Sequence, residues 1–338
     1  MKNITAFTVL VIIILCARPV NALENYALSA IPRFGVLYGQ AEEIVYPSLA
    51  DYPGKGENDY LSQLLWDVKP VYYYGLDLDF SRENPMAGIG FCSTLSLKNA
   101  IPSVSGIMED RDWAASNYNG LSDFSSHGNK TEEIFLLNTS AGISLPLWSF
   151  VLLKTQLSFS YARFKFSSID GYGIYARYYS GARNARYPFT DNPTKRTFEG
   201  TEISYTQEWF IVSPAVSAGI SFLENFYFEL SFRISPAIVC LDLDFHKTRA
   251  IIFKDYLWGG LYLEPGAVLS FSINDRYAVS LETSYRHIFK TRGTAYKRNV
   301  TVTDDTGLFQ TGNYFFSAGE AGAGLSLLDA AILVKIQL

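Results

Sequence analysis

The sequence predicts an all-β fold: a ten-stranded antiparallel transmembrane β-barrel extending above the outer membrane. Three observations predict it. After the N-terminal segment, charges, Gly or Pro interrupt every apolar stretch, so no transmembrane helix is expected. Yet 23 Tyr and 24 Phe bring the aromatic content to 15%, as the aromatic girdles of an outer-membrane barrel require. Strand-like stretches also alternate, as in Cys240-Leu241-Asp242-Leu243-Asp244-Phe245-His246. Successive side chains of a strand point to opposite faces, which makes one face here acidic and the other greasy. Lipid outside and water inside suit both faces at once. Leu76-Asp77-Leu78-Asp79-Phe80 repeats the pattern without the histidine, so the alternation is a barrel signature and not yet a site. A secreted β-sandwich shares the aromatic bias.

Residues 1–22 read as a cleaved signal peptide: Lys2 is its positive region, Ala6 to Leu15 its apolar core and Val20-Asn21-Ala22 its cleavage site. Residues 23–338 are expected to form one barrel domain. Its ten strands are read at 28–45, 61–80, 88–97, 133–145, 150–166, 201–221, 227–246, 257–273, 277–291 and 322–338. Tight turns fall at 81–85, Pro146-Leu147-Trp148, Glu224-Asn225 and Asn274-Asp275-Arg276. Long polar connections run over 47–60, 98–132, 167–200, 247–256 and 292–321. Short turns on one side and long loops on the other are expected of an outer-membrane barrel, and an even strand count returns both termini to the short-turn side. The last strand alternates clearly, with Ile332, Val334, Ile336 and Leu338 on one face.

Losing Lys2 and Arg18 with the leader, and no acid, takes the formal charge from −5 to −7. That argues against nucleic acid as a partner and is compatible with a basic substrate. Three histidines without His/Cys spacing make a zinc site improbable. Cys92 and Cys240 are expected to be unpaired buried thiols, although an oxidising compartment permits a disulfide.

Chemistry-bearing clusters gather where strands approach the long connections. They are Glu42-Glu43, Glu109-Asp110-Arg111-Asp112, Ser122-Asp123 with Ser126-His127, and Asp242-x-Asp244-x-His246. Each alone has a plain reading: a solvated charge pair, a turn, a rim histidine. Their joint order, with Ser62-Gln63-Leu64-Leu65-Trp66 and Met108-x-Asp110-x-Asp112-Trp113, resembles the omptin family of Gram-negative outer-membrane proteases across the mature chain.

The resemblance implies an endopeptidase of aspartic type cutting peptides and proteins at Arg or Lys, with its active site facing outside and no cofactor. It implies Asp244 and His246 as an Asp–His dyad, with Asp110 and Asp112 as the aspartate couple opposite. Glu43 and Asp242 would line the pocket for the basic side chain before the cut, and Asp123 would favour a basic residue after it. Arg163 matches a residue of that family that binds lipopolysaccharide phosphate. Where another such arginine would stand, this sequence has Glu208. An acid cannot replace an arginine opposite a phosphate, so the resemblance leaves lipopolysaccharide as a partner through Arg163 while Glu208 makes a requirement for it in activity doubtful.

Independently of the resemblance, a neutral imidazole can activate water near neutral pH, and a carboxylate beside it orients it and stabilises its cation. Two close aspartates repel if both ionise, so one retains a proton. The competing reading is a non-proteolytic outer-membrane adhesin or host-protein receptor that uses the long extracellular loops, among them 167–200 with Tyr172, Tyr175, Tyr178 and Tyr179. A simple pore is disfavoured, because ten strands leave a narrow lumen.

Overall fold

In the computed structural model the described residues are 25–48, 52, 55–56, 59–82, 85–178, 185–191, 194–302, 309–310 and 315–338. The expected leader, the turn residues Glu83 and Asn84, and Tyr179 lie outside them. Ten long strands follow in chain order. They are β1 (Tyr26–Val45), β2 (Ser62–Arg82), β3 (Gly90–Ala100, resuming at Ser103–Asp112), β4 (Asp123–Trp148) and β5 (Val151–Tyr175). Then come β6 (Arg196–Phe222), β7 (Phe226–Ser235, resuming at Ile238–His246), β8 (Ile251–Gly259, resuming at Tyr262–Ser272), β9 (Tyr277–Asn299) and β10 (Phe316–Gln337). Each pairs antiparallel with its sequence neighbours, and β10 pairs with β1 from Ser29↔Gln337 to Val45↔Ala321. That seam closes the sheet, and closure leaves no unpaired edge to be buried in lipid.

The breaks in three strands have local causes. Pro102 and Pro236 have no N–H to give to a ladder. Gly259 and Gly260 adopt φ of 85° and 81°, a left-handed backbone that side chains disfavour.

The strands run further than their alternation announces. Much of 98–132, 167–200, 247–256 and 292–321, expected as loops, continues the ladders: Asp110 pairs with Leu64 and Ser125, and Asp255 with Asp242 and Ala295. The reason is the solvent. Beyond the bilayer the outer face meets water, so the apolar half of the alternation disappears while the backbone hydrogen bonds persist. The turn expected at Pro146–Trp148 falls later, because β4 runs through Trp148 and turns at Ser149-Phe150.

The outer face carries an apolar band in which Phe34, Leu157, Val212, Leu281 and Ile332 are exposed. Tyr38, Tyr72, Tyr285 and Trp258 edge it on one side, and Trp148, Phe150, Phe222 and Tyr277 on the other. The start of β1 and the end of β10 lie together at the short-turn end, where the Leu338 amide donates to Leu28 O at 2.9 Å. In the last strand Ile332 and Val334 face outward while Leu333 is buried, as the alternation requires.

The lumen at membrane depth is packed with charge. Arg33 donates to Asp77 at 2.5 Å and to Glu282 at 2.9 Å. Lys98 donates to Asp329, Lys154 to Glu229, and Arg233 and Arg286 both to Glu264. Above this layer an aromatic floor closes the channel: Trp66 stacks between Phe166 and Tyr205, with ring centroids 5.7 and 5.6 Å away, and Trp209 is fully buried beside them. The mouth lies above that floor.

Removing one member of a buried charge group strands the others, at a cost of about 3–5 kcal/mol. Arg33→Met is therefore expected to lower unfolding stability in urea and detergent by about that amount; a loss below ~1 kcal/mol would contradict the packing described.

Candidate active site

The site is built on the outer half of β7. From Ile238 to His246 burial alternates without a break, so Cys240, Asp242, Asp244 and His246 all face the basin while Val239 and Leu243 face outward. The β6 and β8 ladders flank it: Gln207 and Asp255 lie opposite Asp242, and Tyr205 and Phe253 opposite Asp244.

His246 Nε2 donates to Asp244 Oδ2 at 2.5 Å, and Phe253 meets the imidazole edge-on at 5.8 Å. This assigns the ring proton to Nε2 and leaves Nδ1 as the lone-pair nitrogen. Burial works against the charged imidazole, but the Asp244 carboxylate outweighs it and raises the pKa of His246 above its ordinary value.

Across the basin, β3 presents Asp110 and Asp112, two residues apart on one face. Asp110 Oδ1 accepts from Ser62 Oγ at 3.3 Å. Burial and then the charge of Asp110 push Asp112 up to about 8, and burial raises Asp110 as well. The couple therefore retains a proton at neutral pH. Asp110 and His246 line opposite sides of one cleft of ≈ 260 Å³, whose wall also includes Tyr175, Arg196, Glu202 and Arg249.

Beside this cleft lies a pocket of acids. Glu43 of β1, Asp242 of β7 and Asp255 of β8 are each 2–3% exposed. Asp242 Oδ2 accepts from the Tyr205 hydroxyl at 3.2 Å. Glu43 Oε2, Asp242 Oδ1, Asp244 Oδ1 and Asp255 Oδ1 are buried and accept no hydrogen bond from any described amide, hydroxyl or cationic side chain. Burial and neighbouring carboxylates raise all three pocket acids: Asp242 to about 7, Asp255 to about 10 and Glu43 well above its ordinary range. Buried carboxyls in want of donors are the complement of a guanidinium or ammonium group. No cluster of His, Cys, Asp and Glu suited to a metal ion occurs among the described residues.

Asp123 is differently placed. Its Oδ1 accepts from the Ala176 amide at 2.8 Å, and Oδ2 is taken by Arg186 and, at 3.4 Å, by Ser122 Oγ. Arg163 lies on the outer wall, with Nε 3.6 Å from Glu208 and 3.9 Å from Glu133; Tyr161 also donates to Glu208, at 2.8 Å. His127, which carries no expected role, bonds Asp170 O through Nδ1 and Ser125 Oγ through Nε2. Gly171 lies against it with φ +119°, and a Cβ there would come within 2.2 Å of Ser126 O. His287 stacks on Tyr285 on the outer face, and Cys92 and Cys240 are buried and unpaired.

The sequence reading missed Asp255, Arg186, Arg196 and Arg249. Asp255 had a findable signal. Lys247–Ala250 is a tight turn pairing His246 with Ile251, and counting outward from it brings Asp242 opposite Asp255.

Fold and site together define a closed membrane β-barrel with a buried acid–histidine basin at its mouth. A family model described as the Omptin family matches residues 24–319, and the chain belongs to that family. It is therefore a protein of the outer membrane. Among solved structures it is similar to the outer membrane protease OmpT from Escherichia coli, with 16% identity, a TM-score of 0.75, and 94% of this chain and 99% of that chain covered. It also matches the translocator domain of the autotransporter NalP from Neisseria meningitidis, with 10% identity, a TM-score of 0.37, and 92% and 88% covered. No curated protein sequence matches it.

The raised carboxyls make stability depend on pH. Asp242, Asp112 and Asp255 titrate in the folded chain at about 7, 8 and 10. The folded state thus holds more protons than the unfolded one, and stability falls as pH rises through those values. The urea midpoint in detergent is expected to drop between about pH 6 and about pH 10, and Asp255→Asn to flatten the drop. A midpoint that holds or rises would overturn this reading of the basin.

Proposed function

We propose that this omptin is an outer-membrane endopeptidase that hydrolyses exposed peptides on the carboxyl side of Arg or Lys, its basin facing outside. One observation carries the reading: Asp110 and His246, from non-neighbouring strands, line a single cleft, next to acids that lack cationic partners.

A basic side chain enters between Glu43, Asp242 and Asp255 and supplies the donors these carboxyls lack. Its desolvation there is offset by charge-assisted hydrogen bonds, and the bond to be cut is drawn between β3 and β7. Water in the cleft is polarised by Asp110 and gives a proton to His246 Nδ1 as its oxygen attacks the carbonyl carbon. Asp244 holds the ring and stabilises the imidazolium. The proton kept by the Asp110–Asp112 couple is available to the tetrahedral oxyanion. The C–N bond then breaks, and the imidazolium returns its proton to the leaving amine. In this account Asp255 is a specificity residue, adding a third carboxyl to the pocket.

Lipopolysaccharide has no evident phosphate site at Arg163, whose charge lies between Glu208 and Glu133. Activity is expected without the lipid.

The test is cleavage of an Arg-containing peptide by refolded protein in detergent, with and without lipopolysaccharide. His246→Ala is expected to lower kcat by about 10²-fold or more. Glu43→Gln and Asp255→Asn should each lower kcat/KM by about tenfold or more, and added lipid should change the rate little. Equal cleavage by wild type and His246→Ala, or none by either, would end the proposal.

A further inference from the structure

The line from Asp110 on β3 to His246 on β7 divides the mouth into two halves of opposite chemistry. The half formed by β1, β7 and β8 holds Glu43, Asp242 and Asp255, each with a buried carboxyl oxygen that lacks a donor. The half formed by β4, β5 and β6 has no comparable acid among the described residues. Its buried carboxylate, Asp123, has both oxygens satisfied from within the chain.

The group that satisfies it is fixed in place. The Arg186 amide donates to Asn117 Oδ1 at 2.9 Å, and Asn117 Nδ2 donates back to Arg186 O at 2.9 Å. Arg186 Nη2 donates to the Tyr178 hydroxyl at 2.8 Å, and its guanidinium lies 4.5 Å from the centre of that ring. Tyr118 donates to Tyr187 O at 3.1 Å, a second tie between the β3–β4 connection and this segment. The side chain of Arg186 is 12% exposed and that of Asp123 4%. A substrate cation would have to displace a tethered guanidinium to reach Asp123.

The cations beside it are not so neutralised. Arg196 at the start of β6 and Arg249 in the β7–β8 turn both line the cleft with Asp110 and His246. Arg196 lies over the Phe198 ring at 5.0 Å, and neither arginine meets a carboxylate at ion-pair distance among the described residues. The other acid in the cleft wall, Glu202, accepts from the Thr248 hydroxyl.

We propose that this side of the cleft selects an acidic residue after the cut, not a basic one, with Arg196 at the start of β6 and Arg249, reaching in from the β7–β8 turn, receiving its carboxylate and Arg186 occupying the place at Asp123 that a basic side chain would take. This rests on the endopeptidase reading and gives it a bipolar substrate: a cationic side chain on one side of the bond and an anionic one on the other. It also reverses the role that the family resemblance implies for Asp123. Like-charge juxtaposition in such a cleft disfavours the wrong partner as effectively as pairing favours the right one.

Peptides with Arg before the bond and Asp, Ala or Arg after it test the proposal. Wild type is expected to cleave Arg-Asp about tenfold faster in kcat/KM than Arg-Arg. Arg186→Ala should raise the Arg-Arg to Arg-Asp ratio about tenfold, and Arg186→Ala combined with Asp123→Asn should cancel the gain. Arg249→Gln should lower Arg-Asp relative to Arg-Ala. Wild-type preference for Arg-Arg, or a ratio unmoved by Arg186→Ala, overturns the proposal. Fluorescence anisotropy of the same labelled peptides on the His246→Ala variant separates it from the reading beneath. If wild type cuts none of the three, the protease reading fails. Tighter binding of the Arg-Asp peptide still supports the bipolar mouth, and equal or tighter binding of Arg-Arg refutes it.

Discussion

The hydrogen-bonded seam between the first and last strands is the constraint on which the molecule depends. By joining Val45 to Ala321 and Ser29 to Gln337 it turns a sheet into a tube. A closed tube assigns every residue to lipid or lumen with a period of two. The Asp242, Asp244 and His246 series is a row on one wall because of that assignment. Glu43 belongs to the same basin although some two hundred positions earlier, because β1 closes the ring from the other side.

Within the tube two solutions to buried charge stand one above the other. At membrane depth acids meet bases: Arg33 with Asp77 and Glu282, Arg233 and Arg286 with Glu264. At the mouth, above Trp66 and Trp209, carboxyls crowd together with few donors, and burial holds several of them above their ordinary pKa. The first arrangement is a filled core. The second is destabilising for the chain alone, and under the proposed function a cation from outside would relieve it. Strain of this kind is expected where binding is the purpose. The contrast with Asp123, whose donors come from within, separates an acid prepared for a partner from one already provided with its own.

Much of this was legible in the residues, and the failures share a cause. The barrel, its ten strands and the face carrying Asp244 and His246 follow from alternation between lipid and water, which is strongest at membrane depth. Above the bilayer both faces are polar, the alternation fades, and 98–132 and 247–256 read as loops although the ladders continue through Asp110 and Asp255. Asp255 was lost in this way. Arg186 could not be found at all, since its contact with Asp123 spans 63 positions and joins the β5–β6 connection to the first residue of β4, with no shared period. Glu208 was legible as a departure. Its consequence, an Arg163 already between two carboxylates, required the cross-strand register.

The central claim is that the basin is a set of protonated, donor-poor carboxyls that exchange protons for a basic side chain. Isothermal titration of the His246→Ala variant with a short Arg-containing peptide, near neutral pH in two buffers of different ionisation enthalpy, measures that exchange directly. Binding should release protons, because an arriving cation lowers the pKa of each neighbouring acid. Heats that do not differ between the buffers, or that report proton uptake, would contradict the account.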